Sequence, residues 1–328
     1  MLEVKSFINN LLNSNKFNFE SHAIELFRWQ AVYNKTYKSY LSHLGVEVNL
    51  INKIEEIPFL PISFFKNHNI QTNDWEPQKV FESSGTSGSQ TSKHFINDLN
   101  FYHTYALSLF EKQFGGIKNT HILALLPSYL ERDNSSLVSM VQYFIETSTS
   151  SYSGFYLDNY DELVETLLAL KEDENEVILF GVTFALLELA EKYKLDLSHV
   201  TLIETGGMKG RREEVTRNEL YEILNTSLHF GHIYSEYGMT ELLSQAYGEN
   251  AYFQLPATMQ VFIREVNDPF SLALTGKTGG VNVIDLANIH TCAFIETQDL
   301  GRINANGTFE VLGRFDNSDL RGCNLLVS

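Results

Sequence analysis

Apolar residues recur at three- and four-residue intervals at Val4, Phe7, Ile8, Leu11 and Leu12, which predicts an amphipathic helix with one buried stripe. The same spacing returns between Glu20 and Gly45, at Leu26, Trp29, Tyr33, Tyr37, Leu41 and Leu44, and predicts a second helix that stops at the glycine. Pro58 and Pro61 then impose an extended path. A further helix opens near Asn97 or Asp98, with Leu99, Tyr102, Ala106, Leu109 and Phe110 on one face.

The middle of the chain alternates short apolar runs with helical patterns. HILALLP is followed by a helix near 160–171, VILFGV by a helix carrying Leu186, Leu189, Ala190 and Tyr193, and VTLIETGG by a charged helix over about 211–225. This order predicts βαβ units and a mostly parallel sheet covered on both faces. Beyond about residue 250 the pattern becomes short β-like runs between turns, and Asn306-Gly307 marks a hairpin. The expected fold is α/β, a large body of mixed or parallel sheets covered by helices, with a β-rich C-terminal portion.

Composition narrows the partners. With 328 residues, 43% hydrophobic and 12% aromatic, the chain can bury a substantial core. Its 24 basic and 41 acidic residues give a net charge of -17, which repels nucleic acid and anionic membrane surfaces. Small molecules or another protein are the expected partners, and self-association is left open. Cys292 and Cys323 are too few for a disulfide framework, so a reducing cytoplasm is expected. The N-terminal stripe is interrupted by polar residues, unlike a signal peptide, and the apolar run from Val177 to Leu187 is too short to insert across a bilayer.

Four polar clusters carry candidate chemistry. Residues 83–94, Ser-Ser-Gly-Thr-Ser-Gly-Ser-Gln-Thr-Ser-Lys-His, follow the strand end Val80-Phe81. Gly85 and Gly88 let the backbone turn its N–H groups toward one point, and Ser84, Thr86, Ser87 and Ser89 add hydroxyl donors, so the loop suits an anion. Its spacing is not that of a Walker loop, because Lys93 follows Ser92 and precedes His94. Glu204-Thr205-Gly206-Gly207 ends a strand before a helix, where α/β proteins place ligands. In Tyr237-Gly238-Met239-Thr240-Glu241, the tyrosine can stack on a base, the threonine can donate to phosphate and the glutamate can hold Mg²⁺. Asp299, before Leu300-Gly301-Arg302, suits ribose hydroxyls, and Arg314 lies within reach of ribose or phosphate. Taken singly, each of these also reads as an ordinary turn. His229 and His232 lack a third metal ligand at suitable spacing.

In this order the four clusters resemble the AMP-forming adenylating superfamily of acyl-CoA synthetases, luciferases and peptide-synthetase adenylation domains. The resemblance implies that Ser84, Gly85, Thr86, Ser87, Gly88 and Lys93 cradle the pyrophosphate end of ATP and that Glu204, Gly206, Gly207, Tyr237 and Gly238 border the nucleotide. It further implies Thr240 on the α-phosphate, Glu241 on Mg²⁺, Asp299 on the ribose, and Arg314 with Asp316 at a hinge. The IPFLPISFFK segment, LLPSYLER with Ser135-Ser136-Leu137-Val138, and the ending from Arg321 to Leu326 look most like bacterial acyl-protein synthetases, the luciferin-component ligases of the fatty acid reductase complex. That resemblance spans essentially the whole chain.

By this resemblance residues 1–315 form an AMP-forming adenylation domain and 316–328 a short tail carrying Cys323. It implies activation of a long-chain fatty acid with Mg-ATP to acyl-AMP, transfer to Cys323 as a thioester with Arg321 lowering the thiol pKa, and hand-over to a reductase or acyltransferase protein. Cys292, within HTCAFIET, reads instead as a small buried hydrophobe. Two features depart from the superfamily. The full mobile C-terminal domain with its lysine is missing, no lysine following Lys277, and Thr91-Ser92-Lys93 stands where Pro-Lys-Gly is usual. Transfer to coenzyme A or an external carrier, and a non-catalytic nucleotide-binding subunit, are the alternative readings.

Overall fold

The alternating strands and helices build a single twelve-stranded sheet among the described residues of the computed structural model, which are 2–12, 17–83, 90–127, 134–206, 216–250 and 252–315. The strands are β1 (Leu60–Pro61), β2 (Lys79–Glu82), β3 (Lys93–Ile96), β4 (Thr120–Leu125), β5 (Gly154–Tyr156), β6 (Glu176–Val182) and β7 (Val200–Thr205). They continue as β8 (His232–Tyr237), β9 (Ala246–Glu249), β10 (Tyr252–Gln254), β11 (Met259–Arg264), β12 (Gly279–Asp285), β13 (Phe294–Ile303) and β14 (Phe309–Arg314). The helices are α1 (Val4–Leu12), α2 (Phe19–Tyr33), α3 (Lys35–His43), α4 (Phe64–Asn67), α5 (Leu99–Phe114), α6 (Ser136–Ser148), α7 (Tyr160–Ala169), α8 (Thr183–Lys192) and α9 (Arg217–Leu228).

The sheet order is β11-β12-β13-β14-β10-β9-β8-β7-β6-β4-β5, with β1 added in parallel to β13. Strands β5, β4, β6, β7 and β8 run parallel, as the continuous burial along β4 and β6 requires of strands covered on both faces. From β8 to β9 the pairing turns antiparallel and stays so across to β11. The β-rich C-terminal portion is therefore an extension of the same sheet. Two cores flank the change of direction. One joins β4, β6 and β7 to α5–α9, and the other joins β11–β13 to α1–α3. Ile233 of β8 belongs to the first core and Tyr237 to the second, so β8 is the seam. Separate β2 and β3 form a hairpin.

The sequence pattern differs from the structure in two long helices: it does not predict α6 over Ser136–Ser148, and it joins α2 to α3. The helix expected from Glu20 to Gly45 is two, broken at Asn34, whose backbone is extended at φ -91° and ψ 107°. Its N–H closes α2 on the Gln30 carbonyl, its side chain accepts from the Tyr37 N–H to open α3, and its amide donates to the Thr291 carbonyl at 2.9 Å. One asparagine satisfying two helix ends outweighs the continuous apolar spacing. The charged helix expected over 211–225 runs Arg217–Leu228, opened by a capping box of Thr216 and Glu219, and its first expected residues lie outside the described ones. The Asn306-Gly307 turn joins β13 and β14 as expected, with Gly307 at φ 83°. No helix of the described residues is long and apolar enough to cross a membrane.

Candidate active site

The hydroxyl-rich loop springs from the β2–β3 hairpin. Glu82 pairs with Lys93, and the neck is closed by the Ser83 N–H donating to the Ser92 carbonyl at 3.0 Å and the Ser92 N–H donating to Ser83 Oγ at 2.9 Å. The expected phosphate ligands Ser84, Gly85, Thr86, Ser87 and Gly88 lie outside the described residues. Strand alternation separates the two side chains that follow. Lys93 is exposed, whereas His94 is 1% exposed and turned to the opposite face.

His94 binds the hairpin to the Tyr237–Glu241 segment. Its Nδ1 lies 2.7 Å from the Thr240 carbonyl and its Nε2 lies 3.0 Å from Thr291 Oγ1. A carbonyl only accepts, so Nδ1 carries the proton and Nε2 accepts from the threonine hydroxyl, which is the neutral tautomer. Burial pushes the imidazole pKa down to about 4, against a smaller opposing effect of the Thr240 contact. The turn after Thr240 is pinned from β12 and the segment beyond it. Asp285 accepts from the N–H groups of Leu243 and Ser244, both at 2.9 Å, and Asn288 donates to the Glu241 carbonyl at 2.8 Å. Glu241 is 5% exposed. Burial raises its carboxyl pKa, while the Ser92 hydroxyl and the nearby Arg314 favour the ionised form.

Tyr237, Asp299 and Arg314 meet directly. Asp299 accepts from Tyr237 Oη at 3.1 Å and from Arg314 Nε at 3.0 Å, and it sits opposite Arg314 in the β13–β14 register. Asp299 is buried, while the Arg314 side chain is 73% exposed and so stands at the mouth of the site. The Tyr237 ring is itself buried, its centroid 5.7 Å from Phe253 and 5.3 Å from Phe309. A base stacking on this ring needs one of those neighbours to yield a face. Burial first, and Asp299 second, push the Tyr237 hydroxyl pKa well up, so it remains a donor.

At the end of β7 the two side chains diverge. Glu204 is buried and accepts from Thr183 Oγ1 and, at 2.9 Å, from Ser235 Oγ, which also meets Tyr221 Oη. Burial raises its carboxyl pKa against the opposing field of Arg217. Its side chain is thereby committed to protein donors. Thr205, on the other face, donates to Glu236. Gly206 takes φ 77°, a conformation that favours glycine, and its carbonyl accepts from Thr183 Oγ1 at 3.0 Å, while Gly207 lies outside the described residues. A Cβ at Gly238 would lie 2.2 Å from Glu236 Oε1, the end of a side chain able to swing aside, so space alone does not demand the glycine of that motif.

Of the other candidates, Cys292 is fully buried, with its thiol pKa pushed up to about 12 by burial, which makes it inert as a nucleophile near neutral pH. Cys323 and Asp316 lie outside the described residues. His232 faces Glu249 at 3.1 Å on the surface, and His229 caps α9 in the left-handed region. Sequence reasoning missed His94, Asp285, Asn288 and Glu236. Asp285 and Asn288 belong to no motif, His94 only closes the hydroxyl-rich stretch, and all three act through contacts more than forty residues away along the chain. Glu236 stands directly before Tyr237, and its position in the sequence does not show which face of β8 it takes.

The arrangement offers Asp299 for paired hydroxyls, Arg314 for an anion, Thr240 as a short-range donor and Glu241 as a single hard oxygen ligand, all at the carboxyl end of β8 or across the sheet from it. ATP-bound MatB from Rhodopseudomonas palustris is similar in fold, with a TM-score of 0.53 and 15% identity over 74% of this chain and 49% of that one. MenE from Bacillus subtilis in complex with AMP gives 0.54 and 15% over 73% and 49%. A 2-hydroxyisobutyryl-CoA ligase in complex with 2-HIB-AMP and CoA gives 0.67 and 12% over 97% and 70%. The chain thus spans about half the length of the first two. No curated protein matches it. The family model of the acyl-protein synthetase LuxE matches residues 13–328, nearly the whole chain, and the protein therefore belongs to the LuxE acyl-protein synthetase family.

Proposed function

We propose that the protein is an acyl-protein synthetase that activates a carboxylic acid with ATP and takes the acyl group onto its own Cys323. A carboxylate oxygen of the acid attacks the α-phosphorus of ATP, the bond to the bridging oxygen breaks, and pyrophosphate leaves with that electron pair. The Cys323 thiolate, in the tail 316–328, then attacks the acyl carbonyl, and AMP departs as the thioester forms. Family membership favours a long-chain fatty acid and a partner that receives the acyl group, such as an aldehyde-forming reductase or an acyltransferase.

The observation that carries this reading is the joining of Tyr237, Asp299 and Arg314 in one hydrogen-bonded unit beside Glu241. Phosphoryl-type transfer depends mainly on positioning and charge neutralisation. Asp299 receives ribose hydroxyls by exchanging one of its two present donors, and Arg314, exposed and held through Nε, keeps its terminal nitrogens for phosphate. Thr240, its backbone fixed by His94, donates to the α-phosphate. Glu241 is one buried carboxylate, a hard oxygen ligand of the kind that holds Mg²⁺ together with nucleotide phosphates. When bound there, the ion neutralises phosphate charge. Lys93, on the exposed face of β3, supplies charge to the pyrophosphate end from the loop side.

Carboxylate-dependent exchange of pyrophosphate into ATP tests the adenylation step. The wild type exchanges, and Thr240→Ala loses on the order of a hundredfold, about 3 kcal/mol of transition-state stabilisation. Undiminished exchange by Thr240→Ala would remove that residue from the reaction, and a wild type inert with every acid would remove adenylation.

A further inference from the structure

Beside Gly238, on the face of β8 turned away from Tyr237 and Asp299, lies a second polar group that the nucleotide does not use. Glu236 is half-buried, accepts from Thr205 Oγ1 on β7, and faces Tyr247 directly across the β8–β9 register. Gln245 flanks the same glycine, its Cγ 3.6 Å from where a Cβ would stand. Tyr247 and Gln245 are 3% and 5% exposed, yet Tyr247 Oη and Gln245 Oε1 make no hydrogen bond.

Buried polar atoms without partners are uncommon because each costs the desolvation of a donor or acceptor with no return. Two of them flank one carboxyl, Tyr247 across the register from Glu236 and Gln245 beside Gly238, and both are buried and unmet until a hydrogen-bonding group reaches them. The position names which ligand. The opposite face of β8 is committed to Tyr237, Asp299 and Arg314, while Gly238 and Thr240 belong to one short turn. On the proposed adenylation the acid reacts beside Thr240, two residues from Gly238, and the side chains nearest that glycine are Glu236 and Gln245.

We infer that the acid taken by this protein carries a hydroxyl or similar hydrogen-bonding group on the first or second carbon beyond its carboxyl, recognised by Glu236, Tyr247 and Gln245. This inference rests on the proposed adenylation. A plain alkyl chain passing here leaves Tyr247 Oη and Gln245 Oε1 unmet and sets methylenes against a carboxyl, whereas a hydroxyl donates to Glu236 or Gln245 and accepts from Tyr247. Burial, against the opposing Thr205 hydrogen bond and with a further contribution from Glu204, pushes the Glu236 carboxyl pKa up to about 7, so both its donor and acceptor forms exist near neutral pH. The ionisable groups around it are Glu204, Tyr102 of α5 and Tyr247 of β9. Both tyrosines have raised pKa values from burial first, and neither is a base at neutral pH.

The test is pyrophosphate exchange by the full-length wild type with chain-matched acids, each plain, 2-hydroxy or 3-hydroxy, in short, medium and long series. In the accepted series a hydroxy acid has a kcat/KM at least about tenfold above its plain counterpart, and Glu236→Leu brings that ratio toward one or inverts it while the KM for ATP stays near the wild-type value. A plain acid equal to or better than both hydroxy forms in the wild type overturns the inference and leaves adenylation standing. So does a Glu236→Leu protein that keeps the full hydroxy preference. Tyr247→Phe, which keeps the ring, gives the same comparison should Glu236→Leu fold poorly. Exchange with no acid of any series overturns adenylation and this inference together.

Discussion

On one face of β8, Ser235 and Tyr237 enter hydrogen-bond chains that end on protein at both sides, through Glu204, Thr183 and Tyr221 in one direction and through Asp299 and Arg314 in the other. On the opposite face Glu236 has Thr205, while Tyr247 and Gln245 keep buried atoms without partners. Both faces are polar and both approach the same glycine-bearing turn, so the contrast lies in completeness. On the proposed function the first face, already joined within the protein, takes the nucleotide by exchanging one donor of Asp299 for ribose hydroxyls. On the inference drawn above, the second is completed by the acid, on which specificity depends.

The largest expected break in the complete face comes from Asp299→Ala. It leaves the buried Tyr237 hydroxyl without its acceptor and frees Arg314, so denaturant unfolding should register a loss of about 2–3 kcal/mol and the KM for ATP should rise steeply. Wild-type stability together with a wild-type KM would mean that the unit is decorative. Next comes His94, whose folded pKa near 4 lies below the ordinary 6.5. A lowered histidine pKa favours the folded state fully above pH 6.5, and that contribution drains away as pH falls toward 4. Its extent is up to about 3 kcal/mol. Stability of the wild type should therefore decline over that acid window more steeply than that of His94→Gln. Parallel pH curves for the two proteins would contradict a buried neutral imidazole.

Glu236 has the opposite sign. Its carboxyl is raised from 4.5 to about 7, so it favours the folded state below pH 4.5 and loses that contribution as pH rises through 7. With partial exposure allowed for, Glu236→Gln should stabilise the protein by roughly 1–2 kcal/mol at pH 8 and by little at pH 4.5. A uniform shift at both pH values would point to packing instead of ionisation. The smallest and sharpest comparison sets Tyr247→Phe against Tyr221→Phe. The first removes a hydroxyl that has no partner and should change stability by less than about 0.5 kcal/mol or raise it, and the second removes a hydrogen bond to Ser235 and should cost about 1 kcal/mol. Equal costs would erase the distinction between the faces.

What the sequence discloses follows the range of the interaction. The parallel half of the sheet is plain in its apolar runs, because β4 and β6 are buried on both sides, and the β13–β14 hairpin is plain in Asn306-Gly307, because that turn needs a residue free to adopt positive φ. Tyr237, Asp299 and Arg314, which hydrogen bonds join, each stand in a short motif visible in the sequence, and Thr240 and Glu241 follow directly after β8. Asn34 is not, because its two helix caps matter through a tertiary tie to Thr291 that local spacing does not encode. Nothing local distinguishes His94 from the lysine before it. The strand pleat separates them, burying His94 on the Thr240 carbonyl and leaving Lys93 exposed. Glu236 was hidden by its neighbour, since nothing in the order Ser235-Glu236-Tyr237 tells which face of β8 is already satisfied.

Self-acylation is tested most directly by intact-protein mass spectrometry after incubation with Mg-ATP and the acid that best supports exchange, followed by hydroxylamine. A single acyl mass on the wild type, released by hydroxylamine and missing from Cys323→Ser while exchange in that variant persists, is the expected result. An acyl mass that survives the loss of Cys323, or active exchange with no covalent adduct at all, would contradict it and assign the acyl group to an external acceptor.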